Sequence, residues 1–176
     1  MHNESFRLLG LDYVYLCFDV NEETLPAAVA GLKTCGIRGF NLTMPNKNKI
    51  VELLDELSPE AQLIGAVNTV LNDNGKLIGY NTDGYGFMQS VRDAGHDITG
   101  KNITVMGVGG ASMAICAQSA LDGAASVHIF ARRTSRYWNR TQKFAENLSA
   151  KTGCQVCLFD KMIILHCEIP LHRVIC

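Results

Sequence analysis

Two single residues and two short strings carry most of the chemistry this sequence could perform. Lys47 closes NLTMPNK, where a strand-like run stops at Met44-Pro45 and a helix begins. A helix start carries partial positive charge, so a cation there is mildly unfavourable for stability and asks for another reason. Asp83, in GYNTDGYGF, opens a later helix, where a carboxylate is welcome. Taken singly, each has an ordinary reading: a solvated surface lysine, and an acid that suits its helix end. Both follow strands, however, and ligand crevices in α/β folds form where strands end.

The two strings lie further on. Gly107-Val108-Gly109-Gly110-Ala111-Ser112 follows a strand of β-branched residues and opens a helix of small residues. Glycines let the backbone turn tightly against a pyrophosphate, while the helix offers free N–H groups to the anion. Ser112 stands where the common fingerprint has its third glycine, so the match is imperfect. A glycine turn without a nucleotide is the plain alternative. At the end of the next strand an NAD site would carry an acid for the ribose hydroxyl. Here the residues are Ala131-Arg132-Arg133-Thr134. A guanidinium suits a 2′-phosphate through its bidentate fork, so NADP(H) is preferred. If the arginines only cover a solvated strand end, NAD remains open.

The elements that must position these residues fall into two patterns, and the fold class is α/β. In the first, ESFRLLG reads as a helix and YVYLCFDV as a buried strand. Asn21 reads as the N-cap of a helix with Glu22 and Glu23 in its first turn, ended by Gly36. IRGFNLT is a strand. Ile50, Val51, Leu54 and Leu57 give the following helix a buried stripe, and Ser58-Pro59-Glu60 starts another. AVNTVLNDNGKLIGYN is a hairpin turned at Asn74-Gly75. In the helix from Asp83, residues Phe87, Met88, Val91 and Ala94 face inward.

GHDITGK, residues 95–101, marks the junction between the patterns. Beyond it the order is β-α-β-α-β, the first half of a doubly wound parallel sheet. The expected division is 1–98 for a substrate-binding and catalytic domain lacking its first strand. Residues 99–160 form a partial Rossmann-like nucleotide-binding domain, and 161–176 a tail of no recognised pattern.

Composition narrows the function classes. The chain has 176 residues, 47% hydrophobic and 19% charged, with net charge −1. That composition is globular and soluble, and near neutrality argues against nucleic-acid binding. No apolar run has the length of a membrane span, and the N-terminus lacks a signal-peptide pattern. Seven irregularly spaced cysteines fit a reducing cytoplasm better than a disulfide framework. Cys154 and Cys157, followed by His166, Cys167, His172 and Cys176, raise a zinc site. Their spacing fits no common zinc pattern and QVCLF reads as a strand, so no metal is expected.

Together NLTMPNK, GAVNTV, GYNTDGYGF and GVGGAS, in that order, resemble the shikimate dehydrogenase family, with Met-Pro-Asn-Lys nearest its quinate/shikimate branch. The resemblance covers roughly residues 1–159. It implies NADP(H)-linked, reversible reduction of 3-dehydroshikimate to shikimate, a step toward chorismate and the aromatic amino acids. The quinate/shikimate branch also accepts quinate, and NAD as well as NADP. Lys47 then matches the catalytic lysine and Asp83 its partner. Thr43 and Asn68 match substrate-binding positions. Gly107, Gly109, Gly110, Ala111 and Ser112 match the pyrophosphate loop, and Arg132 and Arg133 the adenosine-phosphate clamp. The implied partners are a small-molecule substrate and, in the full-length family, a second copy in a homodimer. The chemistry agrees: a ketone reduced by hydride develops charge on oxygen that a nearby proton donor must quench.

The sequence also departs from that family. An opening strand and a Ser-x-Ser-Pro loop that would grip the substrate carboxylate have no counterpart here. After Asp160, KMIILHCEIPLHRVIC looks like translation in a shifted frame. The expectation is an incomplete member with little or no turnover, since lost substrate contacts remove orientation. The competing readings are a non-catalytic nucleotide- or substrate-binding module, a different two-domain NADP enzyme such as a methylene-tetrahydrofolate dehydrogenase type, and a zinc module.

Overall fold

The computed structural model of the chain describes residues 1–162. Its elements are α1 (His2–Leu8), α2 (Leu25–Thr34), β1 (Gly39–Asn41), α3 (Asn46–Lys49), β2 (Glu56–Leu57), α4 (Pro59–Ile64), β3 (Thr69–Asp73) and β4 (Lys76–Tyr80). They continue with α5 (Asp83–Asp93), β5 (Asn102–Met106), α6 (Gly110–Leu121), β6 (Ser126–Ala131), α7 (Trp138–Thr152) and β7 (Gln155–Asp160). Among the described residues no helix is long and apolar enough to cross a membrane.

The first sheet has the order β1-β3-β4-β2. β3 and β4 are the expected hairpin, turned where Asn74 and Gly75 both take positive φ. That conformation is one Asn-Gly adopts readily, and it matches the twist of the strands it joins. The second sheet, β5-β6-β7, is parallel throughout, with α6 and α7 as its crossovers. This is the β-α-β-α-β half-sheet the sequence predicts.

Four expectations fail, three because tertiary contacts outweigh a local pattern and one because of a competing local turn. YVYLCFDV is not a strand, and Tyr13, Val14, Leu16 and Phe18 are exposed. The backbone of Tyr15 bonds the Asn3 side chain instead of a neighbouring strand, its N–H to Oδ1 at 2.6 Å and its carbonyl to Nδ2 at 3.0 Å. Tyr13 and Tyr15 rest their rings on Phe6 and His2 of α1. A short apolar run is buried only where a partner strand covers it.

The helix expected from Asn21 begins at Leu25. Asn21 spends its Oδ1 on the amides of Glu23 and Thr24, folding a turn ahead of the helix. The helix with a stripe through Leu57 ends early. A 3₁₀ turn, Ile50–Leu53, follows α3, and Leu54 is extended. Pairing with β4 wins here: Asp55 N donates to Leu77 O at 3.0 Å, and Ser58 N to Gly79 O at 2.8 Å. In α5, Met88 is buried and Val91 half-buried as expected, but Phe87 and Ala94 are exposed, and Gly84 is the third inward residue.

Gly84 explains that face. A methyl group there would meet the carbonyl of Ala114 and the Cβ of Gln118, both on α6. At the other end of the pair, Arg92 Nη1 donates to Asp122 Oδ2 at 3.0 Å. The helices therefore run side by side in the same direction. One core gathers Leu63, Ile64 and Met88 of the first part with Ala114, Ala117 and Val127 of the second. A smaller one, around Leu25, Ile50, Val67 and Leu77, lies under the first sheet.

Gly84→Ala is expected to lower unfolding stability by about 1–3 kcal/mol through overpacking, measured by urea denaturation. An unchanged midpoint would show that the helices can part freely. Asp55 offers a test by pH. The Leu77 amide, then Lys33, hold its carboxyl below the usual range. A depressed folded-state value contributes stability above the ordinary carboxylate range that disappears as pH falls through the folded value. Asp55→Asn should therefore melt below the parent at pH 7, with the gap closing below about pH 4.

Candidate active site

The site is built at the ends of strands. β1 runs out at Asn41, the Met44–Pro45 peptide is cis, and α3 starts at Asn46. Lys47 is thus the second residue of a four-residue helix, whose dipole is small. Its carbonyl accepts from Val67 N at 2.8 Å, tying it beside the start of β3. At the end of β4, Asn81 folds the turn into α5: its Nδ2 donates to Ala66 O at 3.0 Å, and its Oδ1 accepts from Asp83 N at 3.2 Å.

These turns bring Lys47 and Asp83 together. Lys47 Nζ donates to Asp83 Oδ2 at 2.8 Å. The side chains are 21% and 38% exposed respectively, so the pair is sheltered and still reachable from solvent. The second oxygen is held as well, since Asn68 Nδ2 donates to Asp83 Oδ1 at 2.8 Å.

Asn68, 8% exposed, is the hub of this web. Its Nδ2 also donates to Thr82 Oγ1 at 3.1 Å. Its Oδ1 accepts from Thr82 N at 3.0 Å and from Thr69 Oγ1 at 3.0 Å. Both amide protons are therefore committed to protein acceptors. Asn41 extends the web, with Nδ2 donating to Thr69 Oγ1 at 3.0 Å and Oδ1 accepting from Tyr15 Oη at 3.3 Å. Thr43 is exposed, and its hydroxyl has no protein partner among the described residues. Asn41, Thr69, Asn81 and Thr82 escaped the reading of the sequence. Asn81 and Thr82 flank Asp83 in the motif itself, and that adjacency was the available signal.

The second part of the site is the glycine turn. Gly107 has φ +110°, a conformation costly for any other residue, and its N–H donates to Phe130 O at 2.8 Å. Gly109, Gly110 and Ala111 lie exposed where α6 begins, with first-turn amides that no helical carbonyl can satisfy. Ser112 is half-buried, and its hydroxyl donates to Gly109 O at 2.7 Å. The serine in place of a third glycine therefore closes the turn upon itself.

Beside this turn is a cavity of about 370 Å³, lined by Met106, Gly107, Val108, Phe130, Ala131, Arg132, Ser135 and Lys161. Arg132 lines it; Arg133 does not, and is exposed. Ser135 and Lys161 were not foreseen. Of the cysteine candidates, Cys154 is buried just before β7 and Cys157 half-buried on it, while His166, Cys167, His172 and Cys176 lie outside the described residues. Among the described residues no three His, Cys, Asp or Glu side chains gather as metal ligands would.

Comparison with known proteins meets this geometry. A family model described as the shikimate dehydrogenase substrate binding domain matches residues 1–70. The shikimate dehydrogenase (NADP(+)) of Listeria monocytogenes is 51% identical over 160 residues, 91% of this chain and 55% of that protein. Over most of its length the chain is similar to shikimate dehydrogenases. The Streptococcus pyogenes shikimate dehydrogenase (NADP(+)) is 49% identical over 162 residues. Among solved structures, the Listeria monocytogenes enzyme in complex with shikimate and NAD matches with TM-score 0.88 at 50% identity, over 90% of this chain and 55% of that one. A ligand-free 5-ketofructose reductase of Gluconobacter sp. matches with TM-score 0.83 at 35% identity, with the same coverage. The chain thus spans about 55% of the length of these relatives.

Asn68→Ala would leave Asp83 Oδ1, the Thr82 amide and the Thr69 hydroxyl without their common partner. The expected loss is about 1–3 kcal/mol of unfolding free energy, read by denaturant titration. A variant as stable as the parent would mean that the web contributes nothing to holding the strand ends.

Proposed function

We propose that the chain carries the acid–base centre and part of the nucleotide site of an NADP-linked shikimate dehydrogenase, acting on shikimate and 3-dehydroshikimate, with quinate as a related substrate. The single observation that carries this reading is the Lys47–Asp83 contact of 2.8 Å, made between two strand ends. The helix that begins with Asp83 packs along α6, which begins at the glycine turn. The NADP(+) named for the Listeria and Streptococcus relatives supports the choice of nucleotide.

The residues fit such a nucleotide. A positive-φ glycine and the bare helix start receive a pyrophosphate, and Arg132 lies at the neighbouring wall. When bound, the nicotinamide supplies the hydride acceptor or donor. Everything else falls to the chain. In the oxidative direction Lys47 takes the proton of the reacting hydroxyl as its carbon surrenders hydride. In the reductive direction Lys47 returns that proton to the developing oxyanion. Asp83 steadies the ammonium form, and Asn68 fixes Asp83 by its other oxygen, so the lysine is aimed before substrate arrives. Thr43, with its hydroxyl uncommitted, is the group left to hold the substrate, while Asn68 acts chiefly by positioning Asp83.

Shikimate-dependent NADPH formation, followed by absorbance with the purified chain, tests the reading. Turnover is expected to be slow compared with the full-length relatives. Lys47→Ala should reduce what there is by about 10²–10⁴-fold, the usual contribution of general acid–base catalysis, with NADP+ binding unchanged. A rate indifferent to Lys47→Ala would sink the assignment. NADP+ binding with no shikimate-dependent reduction would instead mark a non-catalytic binding module.

A further inference from the structure

Just after α1 the chain bares more large apolar side chains than any other stretch of the described residues. Leu9, Leu11, Tyr13, Val14, Leu16 and Phe18 are each 44–71% exposed. At those exposures they present on the order of 750 Å², close to the roughly 800 Å² that each partner of a standard interface buries, and above the apolar patch of an ordinary monomer. Residues 9–18 carry a single charge, Asp12, and the ions just ahead of them, Glu4 and Arg7, pair with each other. A surface so nearly free of charge can meet its own copy without repulsion.

The backbone of this stretch is open as well. It takes no helix, turn or bend between residues 11 and 20. Asn3 grips Tyr15 by both its N–H and its carbonyl, as a neighbouring strand would. In an extended chain successive residues turn these groups to opposite sides, so those of Val14 and Leu16 point away from Asn3. Among the described residues, the backbone groups of Val14, Leu16, Cys17 and Phe18 bond no other residue. An apolar segment with open donors and acceptors along one side is a sheet edge, and such edges take up a further strand. A second copy of the same segment fits that role. Antiparallel pairing is symmetric about a two-fold axis, so the open amides of one copy meet the open carbonyls of the other, and the assembly closes at two. We propose that residues 14–18 are a self-association surface, joining two copies of the chain by antiparallel pairing about a two-fold axis within the segment. This is independent of the function proposed above.

Sedimentation velocity of the chain up to about 0.1 mM, a range in which an interface of this size is populated, tests the pairing. A monomer–dimer equilibrium is expected, with the amides of Val14 and Leu16 exchanging with deuterium more slowly in the dimer. One substitution enters a two-fold interface twice, so Leu16→Lys brings two ammonium groups together and should raise the dissociation constant at least about tenfold. Val14→Lys should do the same. Leu121→Lys, at an exposed leucine on α6, should leave it within about twofold. Val14 and Leu16 are exposed, and circular dichroism will establish that their variants fold as the parent does. A parent that stays monomeric, or a dimer that both lysine variants leave intact, overturns the proposal. Oligomers that grow past two overturn it as well, since two-fold pairing closes. A monomeric parent that takes up a synthetic peptide of sequence YVYLCFDV would mark the edge as a peptide site and equally overturns the pairing of copies.

Discussion

Gly84 has no room for a side chain, and much of the candidate site depends on that. Because α5 lies directly on the Ala114 carbonyl and the Gln118 Cβ, the helix that begins with Asp83 runs beside the helix that begins after Gly109. The two parts of the chain are held with these helices running in the same direction. The Arg92–Asp122 contact at the far end fixes the direction as well as the distance. The function proposed above, a hydride transfer between two bound molecules, would need this kind of placement more than any additional functional group.

Within the first sheet the positioning is done by amides and hydroxyls. Asn68 is placed at the mouth of β3, where one face is buried and the other meets the web of Asn41, Thr69, Thr82 and Asp83. A buried amide with every proton committed is rigid, because moving it would strand several polar groups at once. The rigidity is passed to the carboxylate it grips, and from there to Lys47. The lysine that looks poorly placed on a helix start is held by contacts made at both of its ends, its carbonyl to Val67 and its ammonium to Asp83.

How much of this could be read from the sequence follows from the range of the forces involved. The hairpin at Asn74-Gly75, the Ser58 cap and the glycine turn were legible because each is decided by a few adjacent residues. The parallel sheet was legible because strand and helix periods alternate over sixty or so positions, as βαβ units require. YVYLCFDV was misread, because an apolar run says that burial would be favourable and cannot say that a partner strand lies alongside. The helix through Leu57 was misread for the complementary reason: β4 supplied backbone partners that the local period could not announce. In the site, motif spacing brought out Lys47 and Asp83. Lys161 was invisible, since its relation to Arg132 exists only through the pairing of β6 with β7.

The two ends of the site are prepared in opposite ways. At the strand ends around Asn68 the polar groups are already satisfied by one another, so the cost of ordering them is met during folding and binding need not supply it. At the glycine turn the donors are left open: bare amides at the start of α6, and Arg132 and Lys161 in a cavity lining without a carboxylate. Such an arrangement is slightly unfavourable until an anion arrives, which makes affinity there dependent on charge and sensitive to salt. The contrast suits the division of labour. Under the function proposed above, a proton donor would keep its geometry whether or not substrate is present, whereas a phosphate site would gain discrimination from charges that only the correct ligand can neutralise.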